Sequence, residues 1–194
     1  MRDAARLATP AGAPDRVLTG TLIGFAPAAG EIGHLLRIAI DAEQVGATLL
    51  HLPADQPDLP SAVSGLREHT DLVLTCDRAH PGLDVVSSGF ERTVLDHSDD
   101  LPDVVGQVAR LVAEHPSGIA VTGRGRSTLP VLLATLAAGG HVMVEPAEPG
   151  DHIPGAAPSG RDHVALIARA SGLARIAGRP PLDRRAARTL LGLP

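Results

Sequence analysis

The sequence has no lysine, tryptophan or tyrosine, and it holds one cysteine and two phenylalanines. All 17 of its cationic side chains are therefore arginine. The absence of lysine excludes Schiff-base chemistry, a pyridoxal phosphate lysine and the phosphate-binding lysine of P-loop proteins. Two phenylalanines are too few for a platform on which nucleic-acid bases stack. Any chemistry must therefore use His, Asp, Glu, Ser, Thr, Arg or a bound metal.

The chain also lacks an excess of positive charge and long apolar runs. Its net charge is −5 and its pI about 5.9, so no basic surface for nucleic acid or anionic membranes is expected. No apolar run approaches the roughly 20 residues of a membrane-spanning helix, and the first residues lack the apolar core of a signal peptide. Cys76, the single cysteine, has no internal disulfide partner, which is typical of a reducing compartment. We expect a cytoplasmic protein without membrane or nucleic-acid partners.

Hydrophobic periodicity predicts that strands and helices alternate. We expect a flexible tail over residues 1–16 and a single domain over 17–194, because a hydrophobic content of 44% is enough for one core. The predicted strands, five to seven in number, are 17–25, 47–52, 71–75, 84–86, 92–95, 119–122 and 141–144. The predicted helices with both ends marked are 31–45, 101–114, 161–176 and 181–191. A weak helix is also predicted after a loop at 53–60, with its end at 66–69, and another helix ends at 138. Alternation with nearly continuous apolar strands favours a parallel α/β sheet.

Three segments together resemble one enzyme family. They are the strand Leu49–Leu52 with His51, the run Gly139-Gly140-His141-Val142, and the closing Ala187 to Leu193. Their order and spacing resemble the β-keto acid cleavage enzymes, the family of 3-keto-5-aminohexanoate cleavage enzyme. The likeness is good over 119–194 and fair over 31–52, and the spacing indicates that part of the middle is missing.

Members of this family are (β/α)8 barrels that bind Zn²⁺. They transfer an acyl group from a β-keto acid to acetyl-CoA, releasing acetoacetate and a new acyl-CoA. The resemblance therefore implies a TIM-barrel-like parallel β/α fold, here incomplete with fewer than eight strands, and small-molecule partners of the β-keto acid and acyl-CoA classes. Since an incomplete barrel exposes sheet edges, a homo-oligomer completed by another copy is also expected.

The resemblance places the zinc ligands on two segments. His51 matches the first histidine of a His-x-His pair, but the second position falls on Pro53, which cannot ligate a metal. A gapless alignment puts Ala147 at the third ligand, and a shift of one residue brings Glu148 there. The resemblance implies that His51 and Glu148 hold the metal if the protein is active. A buried structural histidine at a strand end is the alternative interpretation of His51.

The resemblance also suggests catalytic and substrate residues. Thr75 falls in the part of the sequence where the family uses a hydroxyl residue for substrate. By resemblance, Thr75 and Glu148 are the candidate catalytic residues. The arginine that holds the substrate carboxylate in the family is replaced by Met143. These departures leave an alternative function, an inactive family remnant that binds acyl-CoA or keto acids or acts as a regulatory module.

Residues Gly123-Arg124-Gly125-Arg126-Ser127 follow a predicted strand and open a helix. Free N–H groups and the positive dipole end of a helix favour anions, and arginine forks match phosphate. The segment is a candidate site for the phosphates of CoA. A capped helix start with solvated arginines explains it equally well.

Three further residues have simple structural explanations. His141 is expected to make a hydrogen bond in the core, and Glu145 is expected in a solvated acidic loop. Cys76 is interpreted as a small buried residue at a strand end, with an unrelated cysteine-dependent enzyme as a remote alternative.

Overall fold

The computed structural model describes residues 20–77, 80–84, 91–95, 101–115, 118–124, 127–145 and 160–193. In these ranges the strands are β1 (Ile23–Phe25), β2 (Leu49–Leu52), β3 (Val73–Cys76), β4 (Glu91–Leu95), β5 (Ile119–Gly123) and β6 (His141–Val144). The helices are α1 (Ile32–Gln44), α2 (Leu59–His69), α3 (Leu101–Glu114), α4 (Thr128–Ala138), α5 (Gly160–Ile176) and α6 (Arg184–Leu190).

The strands form one parallel sheet in the order β3-β2-β1-β6-β5-β4. The first and last strands lie side by side in its centre, and the consecutive strands β3 and β4 form its edges. Along the sheet from β4 to β3, each strand that pairs with its predecessor in the sequence lies on the same side of that predecessor. Because parallel crossovers are right-handed, this order places the connecting helices on one face, as in a TIM barrel. A doubly wound sheet, in contrast, reverses direction and carries helices on both faces.

The distribution of apolar side chains confirms that α1 to α5 cover a single face. Side chains alternate along a strand, so residues two apart share a face. The outer face of the sheet packs against α1, α2, α4 and α5 in one cluster and against α3 and α4 in another. The strand residues in these two clusters are Ile23, Phe25, Leu50, Leu52, Leu74, Ile119, Val121, Val142 and Val144.

The opposite, inner face is filled at its amino half by α6. Its cluster joins the sheet to Ala187, Leu190 and Leu191 in and just after α6. The sheet side consists of Leu22, Leu49, Val73, Ala120 and Met143. Helix α6 therefore closes the amino end of the inner face, and the carboxyl end carries the polar side chains described below.

The sheet is curled rather than flat. Asp77 directly follows β3 at one edge, and Arg92 lies in β4 at the other, yet their carboxylate and guanidinium are 3.9 Å apart. A flat sheet of six strands would separate its edges by about 24 Å, at roughly 4.8 Å per strand. The ion pair therefore spans the open seam between β3 and β4. The fold is an α/β, TIM-barrel-like parallel sheet, to which the described part of the chain contributes six strands, fewer than eight.

Most predicted elements are present; several bounds differ by one to three residues, and the starts of α2 and β1 are the differences with a clear physical cause. Helix α2 begins at Leu59, inside the predicted loop, because the Asp58 carboxylate accepts a hydrogen bond from the Ser61 N–H and a proline stands in the first turn. At that position the missing N–H of proline costs nothing. Strand β1 begins only at Ile23, because Thr21 instead pairs with Pro181 just before α6. The predicted tail 1–16 and, beyond Asp84, the predicted strand 84–86 lie outside the described residues.

Candidate functional site

The pair His51 and Thr75 lies at the carboxyl end of the inner face. Both side chains share the face of Leu49 and Val73, and the two residues are register partners on β2 and β3. His51 Nδ1 lies 3.0 Å from Thr75 Oγ1, within hydrogen-bond distance. Thr75 is 7% exposed, so this hydroxyl is fixed by the histidine. The two predicted site residues are thus brought together.

Charged neighbours surround the His51 ring. Its Nε2 faces the Asp77 carboxylate at 3.5 Å. Burial lowers the pKa of His51 below its ordinary value, and the Arg92 charge lowers it further. The Asp77 and Glu145 carboxylates raise the pKa, but by less. The imidazole is therefore neutral near pH 7. With the Thr75 hydroxyl donating to Nδ1, the Nε2–H is directed toward Asp77.

Arg124 forms an ion pair that the sequence did not reveal. Its Nε and Nη2 donate to Glu145 Oε2 at 3.2 and 2.8 Å. The Glu145 side chain is only 10% exposed, so the expectation of a solvated acidic loop is wrong. This carboxylate is drawn inward because a guanidinium on the neighbouring strand end neutralises it.

Ser127 stands at the start of α4 with no hydrogen bond from its side chain to the helix. It is fully buried, and its Oγ has no partner among the described residues. Thr128 Oγ1 donates to the Gly123 carbonyl instead. Gly123 is required here, because a Cβ would lie 2.7 Å from the Ser127 carbonyl oxygen. Gly125 and Arg126, the other members of the predicted phosphate site, lie outside the described residues.

Thr122, in β5, is a residue that the sequence analysis missed. It shares the inner face with Ala120, is 1% exposed, and its Oγ1 has no partner in the described ranges. Most buried hydroxyls are hydrogen-bonded, so a buried hydroxyl without a partner is unusual and needs an explanation. Asp77 and Arg92 were also not predicted as site residues. The signals that could have indicated them are the position of Asp77 at a strand end and the inward-facing position of Arg92 in β4.

The described residues do not by themselves fit a zinc site. Catalytic zinc takes three protein ligands. Within the described ranges, no three His, Cys, Asp or Glu residues are grouped to hold a metal. His51 Nε2 and the Asp77 carboxylate offer two donors, and the predicted ligand Glu148 lies outside the described residues.

His141 has the core role expected from the sequence. Its Nδ1 accepts a hydrogen bond from the Leu22 N–H at 3.0 Å. Burial, and then the Arg179 charge, lowers the pKa of His141 to about 4. Arg179 itself donates to the Gly20 and Gly140 carbonyls, so both residues support the amino end of the sheet rather than the site.

No family model matches this chain, and no curated protein matches it. Among solved structures it is similar to (S)-3-O-geranylgeranylglyceryl phosphate synthase from Thermoplasma acidophilum, with 11% identity, a TM-score of 0.46, and coverage of 78% of this chain and 93% of the other. It is also similar to the SpoU methyltransferase AviRb from Streptomyces viridochromogenes, with 16% identity, a TM-score of 0.35, and coverage of 82% and 61%. At these identities and scores the likeness assigns neither a family nor an activity. The resemblance to β-keto acid cleavage enzymes stays a prediction.

No helix in the described ranges is both long and apolar enough to cross a membrane.

Proposed function

We propose that this protein is a relative of the β-keto acid cleavage enzymes that binds a keto acid or its acyl thioester at the carboxyl ends of its strands. The observation that carries the proposal is the division of the inner face. Its amino half is apolar and closed by α6, its carboxyl end carries the His51–Thr75 pair, and β5 adds the buried Thr122 hydroxyl on the same face. Barrel-type sheets bind their ligands at this end.

The chemistry of these groups matches a keto acid. A ketone or thioester carbonyl is a hydrogen-bond acceptor without charge, and the Thr122 hydroxyl is a buried donor without a partner in the described ranges. Leaving a polar group buried and unsatisfied costs about 1–3 kcal/mol, which a ligand carbonyl would recover. The His51 imidazole lines the site as a polar group without charge, so it does not repel an acid.

Calorimetric titration with acetoacetate and acetyl-CoA tests the proposal, since the chain has no tryptophan or tyrosine whose fluorescence would report binding. We expect Thr122→Val to weaken binding about tenfold while leaving the unliganded protein at least as stable. Thr135→Val is the matched control, because Thr135 Oγ1 is also buried and unpartnered among the described residues but belongs to α4. Absence of binding by the wild type would contradict the proposal.

Zinc-assisted acyl transfer with acetyl-CoA, which the resemblance implies, is the second candidate. It is favoured by the two donors that His51 and Asp77 offer 3.5 Å apart, and it requires a third, for which Glu148 is the candidate. The test is elemental analysis of the wild type and of His51→Ala, together with an assay for acetoacetate formed from a β-keto acid and acetyl-CoA. Stoichiometric zinc that His51→Ala loses, with acetoacetate formed, supports the enzyme. Zinc-free protein that binds the acid supports the binding module alone.

Assembly and compartment belong to the same proposal. The edges β3 and β4 have no paired strand among the described residues, and association of two copies would cover them. We therefore expect a homo-oligomer, and the single cysteine favours the cytoplasm as its compartment. Light scattering of the eluted protein checks the mass, and a monomer at micromolar concentration would contradict the assembly.

A further inference from the structure

Arg92, a more exposed residue, differs from the half-buried arginines of the sheet and its surroundings. Arg67, Arg124, Arg179 and Arg188 each donate hydrogen bonds to a carboxylate or a carbonyl oxygen. The Arg92 side chain is 32% exposed, and its contact in the described part of the chain is the 3.9 Å ion pair with Asp77. That distance is too long for a hydrogen bond. Its guanidinium donors are therefore available to a ligand.

The position of Arg92 directs these donors to the proposed site. Arg92 is the register partner of Ala120, so its side chain starts from the inner face near the apolar cluster at the amino end. Its guanidinium reaches across the seam to Asp77, and Asp77 in turn contacts His51. An acid bound between β3 and β4 would thus meet Arg92 on one side and the His51–Thr75 pair on the other.

We propose that Arg92 binds the carboxylate of the keto acid, and that the Asp77 carboxylate stands in for it in the unliganded protein. This assignment rests on the proposed function and names its carboxylate-binding residue. A planar guanidinium matches a carboxylate with two parallel hydrogen bonds. Asp77 and Glu145 near His51 make the surroundings less favourable for a phosphate dianion than for a singly charged acid.

Substitutions of Arg92 and of Asp77 should change the affinity for acetoacetate in opposite directions, as measured by titration. Arg92→Met removes the donors and should weaken binding at least about tenfold, because hydrogen bonds to charged groups are among the strong ones. Arg92→Lys should recover only part of the affinity, since an ammonium lacks the fork. Asp77→Asn removes the internal competitor and should strengthen binding about threefold. Arg37→Met, an exposed arginine on α1, is the matched control.

The possible results separate the assignment from the proposed function. Wild-type binding that Arg92→Met leaves unchanged overturns the assignment and leaves the function standing. Equal weakening by Arg92→Met and Asp77→Asn, with equal loss of thermal stability by circular dichroism, shows that the pair only fastens the seam and also overturns it. Inorganic phosphate that displaces acetoacetate at equal concentration identifies the site as one for phosphate. No acetoacetate binding by the wild type contradicts both.

Discussion

Arg188 Nη1 donates a hydrogen bond to Asp84 Oδ1 at 2.9 Å and thereby ties α6 to the segment after β3. The second carboxylate oxygen accepts from the Arg67 guanidinium on α2 and from the Leu74 N–H in β3. The Asp84 side chain is buried among these donors. One carboxylate thus joins helices on the two faces of the sheet.

Replacing Asp84 should therefore destabilise the fold. Asp84→Asn leaves two guanidinium groups without their countercharge, and we expect a loss of about 3 kcal/mol in the free energy of unfolding. Urea unfolding followed by circular dichroism measures it, with the exposed Asp55→Asn as control. Burial raises the pKa of Asp84, but the hydrogen bonds from Arg67, Leu74 and Arg188 prevail and hold it below the ordinary 3.8. This stability is present above about pH 4 and is lost as the pH falls through the lower folded-state pKa.

His141 should make stability depend on pH in a higher range. The folded protein keeps this imidazole neutral down to a pKa of about 4, whereas the unfolded chain binds a proton near 6.5. Stability therefore falls as the pH decreases from 6.5 to 4, by up to about 1.4 kcal/mol per pH unit. His141→Asn, which keeps an acceptor for the Leu22 N–H, should flatten this slope in urea unfolding. The exposed His34→Asn should not, and an unchanged slope in His141→Asn would show that the histidine does not cause it.

Gly24 and Met143 should behave as a coupled pair on the inner face. A Cβ at position 24 would lie 2.5 Å from Met143 Sδ and 3.1 Å from Leu49 Cδ2. Gly24→Ala should cost about 1–3 kcal/mol through overpacking. In a Met143→Ala background the same change should cost at least about 1 kcal/mol less. Additive costs in the double-mutant cycle would mean that the two side chains do not compete for space.

Breaking the Arg124–Glu145 ion pair should lower the free energy of unfolding, and a second substitution should restore most of it. Arg124→Gln leaves the nearly buried Glu145 carboxylate without its partner and should cost roughly 2 kcal/mol, less than for a fully buried pair because Arg124 is one-third exposed. Arg124→Gln with Glu145→Gln should regain most of it. Chemical unfolding of the two variants decides between this structural role and an arginine held free for phosphate.

Ser127 tests the predicted phosphate site directly. If the start of α4 binds the phosphates of CoA, Ser127→Ala should weaken acetyl-CoA binding about fivefold and leave acetoacetate binding unchanged. The buried Ser171→Ala serves as control, because its Oγ is likewise unpartnered among the described residues but lies on α5. Equal calorimetric affinities in all three proteins would remove Ser127 from the site.

The sequence predicts the local elements well because their signals are local. Helix α3 (Leu101–Glu114) and strand β6 (His141–Val144) have the predicted bounds, since apolar periodicity and the glycine after α4 mark their limits. Helix α2 was predicted too short, because a proline in a first turn resembles a loop proline. Each of these patterns lies within a few residues of the feature that it predicts.

The site was predicted only in part, because its contacts join distant segments. His51 and Thr75 were both candidates, but their hydrogen bond depends on the β2–β3 register. The inward position of Glu145 depends on Arg124, 21 residues earlier. The Arg92–Asp77 pair exists only because the sheet curls, which no window of sequence contains.

The central position of the β1–β6 pair also bears on how the chain folds. Each half of the sheet, β1 to β3 and β4 to β6, pairs strands that follow one another in sequence. The halves meet where the Thr21 hydroxyl bonds to the Gly140 carbonyl, a separation of 119 residues. Closing so long a loop is the slowest kind of contact to form. We therefore expect two rapidly forming three-strand units whose docking in the middle of the sheet limits the folding rate.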